Sequence, residues 1–199
     1  MADIIYTYRN HVYFNLTNRC TCKCIFCIRD GHETVGEAKA MWHDHNPSWE
    51  EIKAAIDEFD FSPYPEAAFC GYGEPTCSYD NLILAAKYMK EQYPNIRLRI
   101  NTNGLGELYN KKAIIKEMAQ YIDIASISLN APNAARYQEV TNPCFADGFE
   151  TMLAFAEEAK KHFSSVAFSV VDVISLEEIA ACQKIADKMG IPLRVRPYE

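Results

Sequence analysis

His11-Val12-Tyr13-Phe14-Asn15-Leu16-Thr17-Asn18-Arg19-Cys20-Thr21-Cys22-Lys23-Cys24-Ile25-Phe26-Cys27 is the stretch on which the reading of this chain turns. Its first part alternates with a period of two. Val12, Phe14 and Leu16 fall on one face of an extended strand, and Tyr13, Asn15 and Thr17 on the other. The pattern stops at Asn18-Arg19, and four cysteines follow within eight residues. Cysteines so close together signal either disulfides or metal ligation, and the compartment decides between them. The opening Met1-Ala2-Asp3-Ile4-Ile5-Tyr6 has no basic region followed by an apolar core. A cytoplasmic address is therefore expected, where thiols stay reduced and ligate metals.

The same strand signal recurs outward from this stretch. Further strands are expected at Ala67–Cys70, Ile96–Asn101, Ile122–Leu129, Val166–Val173 and Leu193–Arg196. Between them lie segments with apolar residues three and four apart. These are Ile52, Ile56 and Phe59; Leu82, Ala86, Met89 and Tyr93; Ile114, Met118 and Tyr121; Phe149, Met152, Ala156, Ala159 and Phe163; and Ile179, Cys182, Ala186 and Met189. Ser48-x-x-Glu51 and Ser175-x-x-Glu178 read as capping boxes, and Gly190 as a helix stop. Strand and helix alternating in this way predict an α/β fold with a parallel sheet and outer helices. Six such units are too few for an eightfold barrel, so a partial (βα)6 barrel in one domain, 1–199, is expected.

Composition narrows the function classes. The 199 residues are 49% hydrophobic and 12% aromatic, which excludes a disordered chain. No apolar run approaches the roughly 18 residues of a membrane span. Twenty basic against 27 acidic residues leave a net charge of −7, which disfavours a nucleic-acid-binding surface.

A buried parallel sheet is normally apolar on both faces, yet these strands are not. Arg99 and Asn101 share a face, as do Ser128 with Asn130 and Arg194 with Arg196. If the apolar faces meet the helices, the polar faces line a lumen that binds a polar ligand. Arg99, Arg194 and Arg196 then mark an anionic substrate, small-molecule or otherwise, carrying a carboxylate or phosphate. The alternative is a salt bridge to Asp172 or Glu199.

Cys20, Cys24 and Cys27 form a C-x3-C-x2-C triplet. Three thiolates can cap three irons of a [4Fe–4S] cube and leave the fourth open. The alternative is a zinc site completed by Cys22 or a histidine. Cys22 is read as a non-ligand, because using it strands Cys20. Cys70 and Cys77 flank a turn but are too few for a second cluster, and Cys182 belongs to a helix's apolar stripe. The long connection 29–47 holds His32, Trp42, His43 and His45 and is read as a substrate lid over the cluster. Its histidines are a further candidate metal set.

The triplet, with aromatic Phe26 before its last cysteine, resembles the signature of radical S-adenosylmethionine (SAM) enzymes. Cys70-Gly71-Tyr72-Gly73-Glu74-Pro75-Thr76 occupies the place of that family's Gly-Gly-Glu motif, with Tyr72 where the first glycine is expected. Asn101-Thr102-Asn103-Gly104 and Ser126-Ile127-Ser128-Leu129-Asn130 end the next two strands. The resemblance implies a [4Fe–4S] cluster on Cys20, Cys24 and Cys27, and SAM contacts at Phe26, Gly73, Glu74, Asn101, Ser128 and Asn130. It further implies reductive cleavage of SAM to methionine and a 5′-deoxyadenosyl radical, which takes hydrogen from a substrate. An external one-electron reductant of flavodoxin or ferredoxin type goes with that chemistry. Asn15-Leu16-Thr17-Asn18-Arg19-Cys20-Thr21-Cys22, Ser128-Leu129-Asn130-Ala131-Pro132 and Arg194-Val195-Arg196-Pro197-Tyr198 look like the small TatD family-associated radical SAM proteins, implying a TatD-family hydrolase as partner. The competing reading is a zinc- or cluster-bearing binding module that assists such a hydrolase.

Overall fold

The computed structural model describes residues 2–198. Its spine is a seven-stranded sheet in sequence order, with β1 (Ile5–Tyr8) antiparallel to β2 (His11–Phe14). From β2 onward every pair is parallel: β3 (Glu66–Phe69), β4 (Arg97–Thr102), β5 (Ile124–Ser128), β6 (Ser165–Val171) and β7 (Leu193–Arg196). The six expected strands are β2 to β7. The extra edge strand β1 corrects the six-strand count, and its hairpin explains why the sequence pattern does not reveal it. The turn residues Arg9 and Asn10 both adopt positive φ, 49° and 61°. That is the geometry of a tight primed turn, formed here without the Asn-Gly or Asp-Gly that announces one.

The helices are α1 (Trp49–Glu58), α2 (Tyr79–Gln92), α3 (Gly106–Asn110), α4 (Ile115–Met118), α5 (Ala134–Thr141), α6 (Gly148–Ala159) and α7 (Leu176–Met189). Both capping boxes form: Ser48 with Glu51 opens α1, and Ser175 with Glu178 opens α7. Gly190 closes α7 at φ 62°, the left-handed conformation a glycine adopts without strain. The periodic segment around Ile114 shortens to the single turn of α4, with α3 before it. The eight-residue α5 is an addition to the expected helices. Only Tyr137 and Val140 mark its buried face before Thr141, and this is too short a pattern to separate helix from loop.

The outer core forms as the alternation requires. Val12, Phe14, Leu98, Ile100, Ile127 and Phe168 are fully buried against Ile52, Ile56, Leu82, Met89, Met152 and Ala186 of the helices. The inner faces of the strands, carrying Tyr13, Arg99, Asn101, Ser128, Arg194 and Arg196, line a cavity of about 430 Å3. All eight cysteines are free thiols, and Cys182 is packed into the core as expected.

Candidate cluster and cofactor site

The loop after β2 reaches the cavity rim and is clamped on two sides. On one side the carboxyl end of α5 holds it: Lys23 N donates to Thr141 O at 2.9 Å, and Ile25 N to Val140 O at 3.0 Å. Cys144 N donates to Thr21 O at 2.8 Å. On the other side Glu74 N donates to Arg19 O at 2.8 Å. Between these clamps Cys20, Cys24 and Cys27 all face the cavity, and Cys22 stands at its floor, almost wholly buried. The Cys22 thiol and then burial push the Cys20 thiol above its usual range, and burial does the same to Cys27. Loading a metal there must therefore displace protons. Among the described residues no three Cys, His, Asp or Glu side chains gather as the ligands of one ion would. A cube of iron and sulfide asks for something else, thiolates spread over different irons.

The turn after β3 supports the loop from below, at very short range. A Cβ on Gly71 would lie 2.3 Å from Asn15 Oδ1, and one on Gly73 would lie 2.2 Å from Thr17 O and 2.6 Å from Arg19 O. Only glycine fits at either place. Position 72 between them is not so restricted, and the structure shows what its tyrosine does. Tyr72 N donates to Asn15 Oδ1 at 3.2 Å, and the Tyr72 hydroxyl donates to His32 O. Its ring meets Trp42 edge-on at 5.1 Å between centroids. Tyr72 is thus buried beneath the connection 29–47 and pins it.

That connection is not a lid over the cluster along its whole length, which corrects the expectation. Its second half straps the β1 edge. Asp3 N donates to Ala40 O at 2.8 Å and Glu37 N to Thr7 O at 2.9 Å, while Asn15 Nδ2 donates to Met41 O at 2.8 Å. Only Val35, in its first half, joins the cavity wall, together with Ile28 just before the connection. The histidines do not come together as ligands. His43 Nε2 lies 2.8 Å from Asn15 O, His45 pairs with Glu51 at 3.0 Å, and His32 is exposed.

Glu74 is fully buried, and four donors hold its carboxylate. Oε1 accepts from Thr76 N (3.2 Å), Thr76 Oγ1 (2.8 Å) and Thr102 Oγ1 (2.8 Å), and Oε2 accepts from Asn103 N (2.8 Å). Burial pushes its carboxyl above the usual range while these donors pull against that. The side chain chiefly ties the 71–76 turn to the end of β4. Four lone-pair sites per carboxylate leave at most one acceptor position, on Oε2, for a ligand amine.

The arginines separate. Arg99 Nε donates to Glu66 Oε1 at 2.7 Å and its Nη1 to Asn101 Oδ1. Arg99 is therefore already neutralised, contrary to its expected place in substrate binding, and it occupies one side of Asn101. Arg194 and Arg196 have no ion-pair partner among the described residues. Asp172 Oδ1 instead accepts from Tyr198 N at 2.7 Å, and Glu199 lies outside the described residues. Arg196 Nε is buried without a partner. Phe26, Gly73, Glu74, Asn101, Ser128 and Asn130 all line the cavity. Asn130 sits in the left-handed region (φ 57°), and its Oδ1 is buried and unpartnered.

Two residues that sequence reasoning missed stand against the sulfurs. Asn103 Nδ2 donates to Thr21 Oγ1 at 2.8 Å and lies 3.6 Å from Cys22 Sγ and 3.8 Å from Cys20 Sγ. It follows Thr102 at the end of β4, but nothing local marks it out from Asn101. Tyr137 lines the cavity from α5, its hydroxyl buried and unpartnered. Burial, with Cys22 next, pushes that phenol above its usual range.

The description "Radical SAM superfamily" belongs to the family model that matches residues 14–183. The chain belongs to that superfamily. Its members work with a [4Fe–4S] cluster and SAM. Fe-coproporphyrin III synthase of Methanosarcina barkeri is 38% identical over 93 residues, covering 47% of this chain and 21% of that protein. Streptococcus suis SuiB bound to precursor peptide SuiA superposes with a TM-score of 0.68 at 18% identity, over 98% of this chain and 40% of that one. SuiB bound to S-adenosylmethionine gives 0.63 at 20% identity, over 94% and 38%. The radical SAM fold is thus shared, and the chain spans about a fifth of the curated relative and two-fifths of SuiB. No helix among the described residues is long and apolar enough to cross a membrane.

The residues present suit a radical SAM cofactor pair. Four buried side-chain polar atoms lack a partner among the described residues: His43 Nδ1, Asn130 Oδ1, the Tyr137 hydroxyl and Arg196 Nε. Three of the four residues line the one cavity that also collects the cysteine triplet. Buried polar groups are normally satisfied, so orphans gathered around a cavity indicate a polar ligand there.

Proposed function

We propose that the chain is the catalytic core of a radical SAM enzyme, one domain in which Cys20, Cys24 and Cys27 hold the [4Fe–4S] cluster. When bound, the cluster and SAM supply a 5′-deoxyadenosyl radical that takes hydrogen from a substrate. The observation that carries this reading is that three residues with orphaned buried polar atoms line the same cavity as the cysteine triplet. Gly71 and Gly73 allow the turn to close beneath the loop, and residues 71–74 line the cavity. Asn130 Oδ1 is an acceptor for a SAM hydroxyl or amine, and Ser128 and Asn101 share that inner face. Phe26 offers its ring or backbone to the adenine.

The substrate is proposed to be anionic, held by Arg194 and Arg196 on the inner face of β7. Arg99 is left out because Glu66 neutralises it; it positions Asn101 instead. A one-electron donor of flavodoxin or ferredoxin type, a reducing cytoplasmic setting for the eight free thiols, and a TatD-type hydrolase partner complete the proposal. The last rests only on the likeness of three short segments.

The test is anaerobic reconstitution of the full chain. About four irons and four sulfides per chain, with conversion of SAM to 5′-deoxyadenosine and methionine under reductant, support the reading. A colourless protein that takes up one zinc and no iron overturns it in favour of the binding module.

A further inference from the structure

We infer that the Tyr137 hydroxyl donates a hydrogen bond to the sulfurs of the cluster site, and that with Asn103 it sets how readily the cluster there accepts an electron. The inference rests on the cluster proposed above and goes beyond it in assigning a tuning role to two residues that ligate nothing.

The geometry starts with α5. Its carboxyl end carries the carbonyls of Val140 and Thr141 that receive Ile25 N and Lys23 N, so the helix is docked on the cysteine loop. Tyr137 lies one turn earlier on the same face. Its ring is fixed against Phe149, 5.6 Å between centroids, and only 1% of the residue is exposed. Tyr137 lines the cavity together with Cys20, Cys22 and Cys24, and its buried hydroxyl, with the Cys22 thiol and the Thr141 hydroxyl beside it, makes no hydrogen bond of good geometry among the described residues. A phenol of ordinary acidity keeps its proton at neutral pH, so this one is available as a donor. An unsatisfied buried hydroxyl is costly, and a sulfur cage beside it would satisfy the group.

Asn103 approaches from the end of β4, and its orientation is fixed. Leu105 N donates to Asn103 Oδ1 at 3.0 Å, which leaves the amide nitrogen as the end that faces Cys20 and Cys22. Asn103 N is in turn held by Glu74 at 2.8 Å. The buried carboxylate, the amide and the sulfurs thus form one connected series, with Tyr137 closing it from the α5 side. Reduction adds negative charge to a cluster, and hydrogen bonds to its sulfurs stabilise the reduced form. Removing one donor must lower the midpoint potential.

The test compares the full chain with Tyr137→Phe, both reconstituted anaerobically, in equilibrium redox titrations followed by electron paramagnetic resonance. Tyr137→Phe removes only the unpartnered oxygen, so its iron and sulfide content should equal that of the unaltered protein. Without SAM its midpoint should be more negative. At a fixed applied potential the ratio of reduced to oxidised cluster should fall roughly two- to ten-fold, the worth of one such bond. An exchangeable proton coupled to the reduced cluster in the unaltered protein should vanish in the variant. An unchanged midpoint with the cluster retained overturns the inference. So does a shift seen only with SAM bound, since the hydroxyl would then serve SAM, and so does loss of the cluster, since Tyr137 would then serve assembly. If the unaltered chain itself assembles no iron–sulfur cluster, it is the proposed function that fails.

Discussion

Replacing Gly73 by alanine tests the support of the cysteine loop directly. The added Cβ would stand 2.2 Å from Thr17 O, 2.8 Å from Thr17 C and 2.6 Å from Arg19 O, all backbone atoms. Ordinary packing distance to carbon begins near about 3.5 Å, so the overlap approaches about 1 Å on two carbonyls at once. No rotamer relieves it, because a methyl group has none to change. Either the 71–74 turn or the 17–20 segment must move, and the hydrogen bond from Glu74 N to Arg19 O, 2.8 Å long, is the first to break. Overpacking of this kind costs about 1–3 kcal/mol and the hydrogen bond about 1 kcal/mol. Urea unfolding of the reduced, cluster-free protein should therefore show a destabilisation of about 2–4 kcal/mol. Because the displaced segment ends at Cys20, iron content after anaerobic reconstitution should fall as well. Tyr72→Gly is the informative partner. It restores the family's glycine pair, yet it removes a buried ring that holds the 29–47 strap, and truncations of that size cost about 3–5 kcal/mol. A Gly73→Ala protein within about 0.5 kcal/mol of the original, with full iron content, would refute the reasoning.

Three other outcomes follow from the same geometry. Cys20→Ala, Cys24→Ala and Cys27→Ala should each abolish cluster assembly, measured as iron per chain, whereas Cys22→Ala should keep it; iron retained in Cys20→Ala and absent from Cys22→Ala would reverse the ligand assignment. Arg196→Ala should keep iron and substrate-free SAM cleavage but lose affinity for an anionic substrate by roughly ten- to a hundred-fold; collapse of SAM cleavage with the cluster intact would move the arginine into the SAM site. Burial, opposed by its bond to Asn15 O, lowers the His43 imidazole below its usual range. The unfolded chain therefore takes up a proton there before the folded one does, so this contribution to stability is present above pH ~6.5 and disappears as pH falls below it. His43→Gln should flatten that part of the pH–stability curve, and an unchanged slope would count against a neutral, strap-holding His43.

The sheet is legible in the sequence because its pattern is local. Val12 and Phe14, Leu98 and Ile100, and Ile127 alternate with polar neighbours, and each pair or singleton is buried against a helix whose own stripe is equally local. The capping boxes at Ser48 and Ser175 are four-residue signals, and both form. The cysteine triplet is legible because its three thiols lie on one loop. Strand β1 is not, since its turn at Arg9-Asn10 takes up primed geometry with residues that do not advertise it. Neither is α5, whose fold is supported by the loop it carries: the donors at Lys23 and Ile25 lie more than a hundred residues upstream of Val140 and Thr141.

The inner-face charges show the same division at the level of single side chains. Alternation places Arg99 on the cavity side of β4 and says nothing of what stands next to it. Its partner is decided by register: Glu66 on β3 is paired with Arg97 and so lies diagonal to Arg99, within the reach of a long side chain. The register is itself a packing outcome with no local code. Arg194 and Arg196 belong to the edge strand β7, which has β6 on one side only, and neither forms an ion pair among the described residues, the neighbouring Asp172 carboxylate accepting from Tyr198 N instead. Equal charges on equal faces thus acquire different fates, one spent on the sheet and two left to the cavity. A buried guanidinium N–H left without an acceptor is costly, and the orphaned Nε, rather than the number of arginines, is what points to an anion at Arg196.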